Sequence, residues 1–120
     1  MALTYTPQSG LLTRIVQETV SNATAQDNIT GSSGTWYNLD VDNSASSADV
    51  YVKLYNNNAP IVGVTEPDWV FKVVASTRLV ISSPQGFAFS NGLSLASVTT
   101  PGKGGVVNPV SPPVIRIIAS

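Results

Sequence analysis

The stretch Ala48-Asp49-Val50-Tyr51-Val52-Lys53-Leu54-Tyr55 decides how the chain is read. Ala48, Val50, Val52 and Leu54 alternate with Asp49, Tyr51, Lys53 and Tyr55. A period of two sends successive side chains to opposite faces of an extended backbone, so this is a strand with one apolar face. The same period recurs on both sides. Upstream, Tyr37, Leu39 and Val41 alternate with Trp36, Asn38, Asp40 and Asp42. Downstream, Trp69, Phe71 and Val73 alternate with Val70, Lys72 and Val74. β-Branched and aromatic residues fill these positions, as strands prefer. Shorter strands are expected at 78–82, 87–89, 93–99 and 114–119. Residues 11–20 fit both a helix and a strand. Their Val, Ile and Thr content and the turn at Ser9-Gly10 favour the strand.

Turn chemistry separates these runs. Gly31-Ser32-Ser33-Gly34, Asn56-Asn57-Asn58-Ala59-Pro60, Glu66-Pro67-Asp68 and Ser83-Pro84-Gln85-Gly86 are all breakers. Asn91-Gly92 lies between two apolar runs and reads as a hairpin turn. About eight short strands spaced near ten residues apart predict an all-β fold, a β-sandwich of jelly-roll or immunoglobulin-like type. The whole chain, 1–120, reads as one domain. Residues 1–8 read as an extended N-terminal arm. Residues 100–113 form a Gly/Pro-rich passage before a C-terminal strand, and long loops of that kind tend to be functional or interfacial.

Composition narrows the chemistry. The 120 residues include no Cys and no His. That excludes Cys–His and Ser–His–Asp catalysis, zinc sites of the usual N/S type and disulfides. Charged residues make up 11% of the chain, against about 25% in ordinary domains. Ser, Thr and Asn take their place, and such a surface is weakly repelled by its own copies. The net charge is −1 with no basic run, so no nucleic-acid partner is expected. Met1–Pro7 lacks a basic and an apolar region, so no signal peptide is expected there. No run approaches the roughly 20 apolar residues of a membrane span.

The remaining polar constellations are weak. Asp40, Asp42 and Asp49 could offer oxygens to Ca²⁺, but the spacing of a calcium loop is absent, so they read as the wet side of a strand entering a turn. Pro101-Gly102-Lys103-Gly104-Gly105 fails the spacing of a phosphate loop. Ser/Lys catalysis needs a desolvated lysine, and Lys53 and Lys72 are expected on solvated faces. No metal and no cofactor is implied. Asp40, Asp42, Asp49, Glu66 and Asp68 form no convincing acid–base pair.

Tyr51, Lys53 and Tyr55 form a stripe opposite the Val50/Val52/Leu54 face, and Trp36 lies on the polar side of its strand. Such residues could meet another protein, be covered by local chain, or stack on sugar rings. With Tyr5 in the N-terminal arm and Val106 and Val107 in the Gly/Pro-rich passage, they are the candidate interface residues.

Residues 50–99 resemble a pattern in small virion proteins of tailed bacteriophages. The resemblance is carried by Val52-Lys53-Leu54-Tyr55, the Asn-rich turn to Ala59-Pro60, and Gly63-Val64-Thr65-Glu66-Pro67. Its closing block is Gly86-Phe87-Ala88-Phe89-Ser90-Asn91-Gly92-Leu93-Ser94-Leu95-Ala96. It implies a capsid decoration (cement) protein, a homotrimer on the virion surface whose partner is the major capsid protein. The alternative is a tail or fibre module that binds a carbohydrate or host surface, whose aromatic platform would include Trp36 or Tyr51.

Overall fold

The computed structural model describes residues 3–7 and 14–120. The expected turn at Ser9-Gly10 and the start of the expected strand at 11–13 lie outside them. Among the described residues there are eight strands. They are β1 (Leu3–Pro7), β2 (Arg14–Glu18), β3 (Gly34–Asp42), β4 (Val50–Asn56), β5 (Trp69–Val73), β6 (Arg78–Phe89), β7 (Leu93–Val98) and β8 (Val114–Ala119).

The pairing is nested. β4 pairs with β5, β3 with β6, and β2 with β8, all antiparallel. Between the last two, Gln26 bridges Leu95 of β7. Nested pairs describe one long hairpin with its tip between β4 and β5. Rolling that hairpin brings β8 against β3 and β7 against β4. The result is two packed sheets, β1-β2-β8-β3-β6 and β5-β4-β7. An immunoglobulin-like sandwich keeps its last two strands in one sheet. Here β7 and β8 lie in different sheets, so the order is that of a jelly roll.

Valine, leucine and isoleucine fill the space between the sheets. Leu39 and Val41 of β3, Val52 and Leu54 of β4, Leu95 of β7 and Ile117 of β8 have no exposed surface. The apolar face read from 48–55 is therefore the inner face from Val50 onward, whereas Ala48, ahead of β4, is exposed.

Trp36 departs from the expected alternation. It was expected on the polar side but is fully buried. The register explains the difference. Trp36 sits opposite Ala119 of β8 while Asn38 sits opposite the adjacent Ile118. Tyr37 is thus an extra residue, a β-bulge, and a bulge shifts the parity of the strand. Trp36 and Leu39 then share the inner face although they are three residues apart. The indole stacks on Phe87 at 4.4 Å between centroids and meets Trp69 and Phe71 edge-on at 5.8 and 6.0 Å.

Two further expectations change. The runs at 78–82 and 87–89 belong to a single strand, β6. Its partner residues jump from Ser82 to Phe87 across the β3 bulge, so Ser83-Pro84-Gln85-Gly86 is an excursion within the strand. Asn91-Gly92 does not close a hairpin, because β6 and β7 lie in different sheets. The Asn56 side chain makes it a crossing, its Oδ1 accepting from the amides of Ser90 and Asn91 at 2.9 Å each. Gly92 has φ +87°, and a side chain there would run into Asn28.

The termini are more integrated than arms. Leu3–Pro7 pairs along its length with β2. β8 lies between β2 and β3 in the larger sheet, so it completes the chain's own sheet.

The bulge makes a clear stability prediction. Trp36→Ala is expected to cost about 3–5 kcal/mol, as for other large core truncations. Tyr37→Ala is expected to cost about 1 kcal/mol, the ordinary value for a substitution. Urea unfolding of the two variants checks the ranking, which uninterrupted alternation would reverse.

Candidate functional site

The outer face of the three-stranded sheet is where the structure concentrates unusual chemistry. β4 presents Tyr51, Lys53 and Tyr55 there. The register sets Val98, Ala96 and Ser94 of β7 beside them, and Lys72 and Val70 of β5 beside Tyr51 and Lys53. The β5 side is open, with Lys72 and Val70 exposed. The β4–β7 side is closed, and all six residues of β7 are buried.

Two loops roof the closed side. One runs through 57–67 and the other through 99–113. They touch, since a Cβ on Gly63 would lie 2.7 Å from Val106 Cγ1. The first is tied to β7, whose Ser94 hydroxyl donates to the Asn57 carbonyl at 2.5 Å. The second is tied to β4, whose Lys53 Nζ donates to the carbonyls of Gly102 at 2.7 Å and Gly105 at 3.1 Å. The Ala23 amide adds a bond to Asn108 Oδ1 at 2.9 Å.

The expected positions of Lys53 and Tyr55 are therefore corrected. Lys53 was expected on a solvated face, Tyr55 on an outward stripe open to a partner, local chain or a sugar, and neither has exposed surface. Local chain covers them. Burial draws the Lys53 ammonium below its ordinary pKa, with the Glu66 carboxylate opposing that shift. Burial, then the Glu66 charge, push the Tyr55 phenol up. A desolvated lysine is the first requirement of Ser/Lys catalysis. The bonds of Lys53, however, go to backbone carbonyls, and the buried serines of β7 are engaged elsewhere. Ser94 is bonded as above, and the Ser97 hydroxyl is 2.7 Å from that of Ser21. Tyr51 stays half-exposed. The side chain of Tyr5 lies outside the described residues.

The roof is apolar on its outer surface. Val106 and Val107 are 53% and 58% exposed, and Ile61, Val64 and Val110 reach 62%, 68% and 95%. These five are half of the exposed large apolar side chains among the described residues. Val106 and Val107 were candidates because they lie in a Gly/Pro-rich passage long enough to be functional or interfacial. Val110 lies in the same passage, and Ile61 and Val64 lie between turn formers; none of the three was among the candidates.

A shallow hollow of about 270 Å³ adjoins this surface, lined by Ala23, Thr24, Ala25, Asp27, Pro60, Ile61 and Val62. Ligand pockets usually hold about 300–1,000 Å³ with convergent polar groups. This hollow brings one carboxylate, Asp27, and fits a side chain of a partner better than a reaction.

The candidate carboxylates are separated by their tasks. Asp40 takes a two-pronged bond from Arg78, with Nε to Oδ1 at 2.8 Å and Nη2 to Oδ2. Asp42 accepts from the amide and hydroxyl of Ser44, which hold its carboxyl below the usual range. Asp49 accepts from the Ala75 amide at 2.9 Å and faces Lys72 at 3.6 Å. No cluster of three potential metal-binding side chains occurs among the described residues.

The buried phenol gives a spectroscopic prediction. Tyr55 holds its proton above the ordinary tyrosine range, so its burial favours the fold below that range and disfavours it as pH rises through the shifted value. In a tyrosinate absorbance titration, one phenol should ionise late, and Tyr55→Phe should remove that late step. A Tyr55→Phe curve that keeps it would place the roof elsewhere.

Comparison with protein-family models, curated proteins and solved structures finds no match to this chain.

Proposed function

We propose that this chain is a non-enzymatic structural protein of a bacteriophage virion, a decoration protein that bridges major capsid subunits as a homotrimer. The observation that carries the contact role is the roof, where five aliphatic side chains stand exposed on two loops fastened to a rigid sheet. Exposed apolar surface of this kind marks protein contact. Loops on a rigid scaffold are common carriers of binding function. The virion assignment rests on the sequence resemblance across 50–99. Low charge and a hydroxyl-rich surface suit close packing of identical copies. Many symmetric copies would multiply a modest contact through avidity.

The carbohydrate-binding alternative is weaker. Its platform called for Trp36 or Tyr51 on an open face. Trp36 is interior, and Tyr51 alone offers one half-exposed ring.

The test uses particles of the phage whose genome encodes the chain. Cryo-electron microscopy should place it on the head, with three copies around each site. Recombinant protein should rebind heads that lack it. Val106→Asp and Val110→Asp should each weaken that rebinding about tenfold or more, the size of a contact hot spot. Absence from the particles, or a position in the tail, overturns the proposal.

A further inference from the structure

We infer that residues 99–113 form a strap that opens as a unit while both sheets stay folded, and that the Lys53 side chain is its latch. This stands whether or not the chain is a virion component.

The strap adds nothing to the core. It contains no strand, running from the end of β7 at Val98 to the start of β8 at Val114. None of its residues belongs to the apolar cluster between the sheets. Within it only Gly105, Pro109 and Pro113 are buried. Its ends run into β7, the edge strand of the smaller sheet, and β8, an interior strand of the larger one. Segments with few buried apolar contacts open at a small fraction of the global unfolding free energy.

The two bonds from Lys53 and the one from the Ala23 amide to Asn108 fasten it to its surroundings. Within the strap, the Thr99 amide donates to the Val107 carbonyl at 3.1 Å. The Gly105 amide donates to the Gly102 carbonyl at 2.9 Å. The turn is tight, since a Cβ on Gly105 would collide with the Thr100 hydroxyl and carbonyl. Among the described residues, Lys53 alone ties this turn to the sheet by side-chain hydrogen bonds, and it does so at two points of the turn.

Burial of the latch opposes closure. A buried ammonium is costly even when hydrogen-bonded. Opening would return the Lys53 ammonium to water, while it would also uncover outer-face side chains such as Ala96 and Val98. The strap also carries Val106, Val107 and Val110, so the latch sets where these side chains stand.

Hydrogen exchange and amine acylation of the intact protein test this together. In the wild type, the Ala23 amide, which donates to Asn108 of the strap, should exchange with little dependence on urea, whereas β4 and β7 amides follow the steep dependence of global unfolding. Lys53 should acylate at least about tenfold more slowly than exposed Lys72 and Lys103, with the same shallow urea dependence as the Ala23 amide. Lys53→Met should speed Ala23 exchange and leave β4 and β7 protected. If the Ala23 amide and Lys53 follow the global dependence, the strap is no separate unit. If Lys53→Met leaves Ala23 exchange unchanged in a folded protein, Lys53 is not the latch.

Discussion

The three-stranded sheet has to be covered on both sides, and the rest of the structure follows from that. Its inner face packs on the larger sheet through Val52, Leu54 and Leu95. Its outer face carries Ala96 and Val98 beside a lysine and two tyrosines. No third sheet is available to cover it. The chain covers it with two irregular loops, and irregular backbone must satisfy its own polar groups. Lys53 supplies donors to two such carbonyls, and Ser94 supplies one to a third. The polar residues of the outer face are therefore partners of the roof. The outer surface of the roof carries five exposed aliphatic side chains.

Much of the fold was legible because alternation reports which side chains share a face. The 48–55 stretch identified its inner residues, and the all-β class followed from repeating that reading. Three places defeated it for separate reasons. At Tyr37 one additional residue reversed the parity, which no local preference announces, and Trp36 went inside. At Lys53 and Tyr55 the face was identified but not its cover. Period two separates two faces without saying whether the second meets water or another layer. At Asn91-Gly92 the turn chemistry was sound, but a turn does not state which sheet its strands join.

The site was partly legible on the same terms. Val106 and Val107 were candidates because they lie in a long Gly/Pro-rich passage, a kind of loop that tends to be functional or interfacial. Their exposed companions Ile61 and Val64 lie in a segment more than forty residues earlier. Only the contact of Gly63 with Val106 shows that the two loops form one surface. Such pairing across sequence is set by the rolled hairpin and has no local signature.

The position of β8 governs the order of events in folding. This strand joins β2 to β3, so the pair β1-β2 has no other link to the rest of the larger sheet. A nascent chain that has not released residues up to Ala119 holds two fragments of that sheet with nothing between them. The nested pairs also join segments far apart in sequence, and such non-local topologies fold slowly. The β4–β5 tip can form early, but the sandwich closes only after synthesis has passed its last strand. Until then the apolar faces of β2 and β3 lack their shared neighbour, which makes the interval before closure the one most open to misassembly between chains.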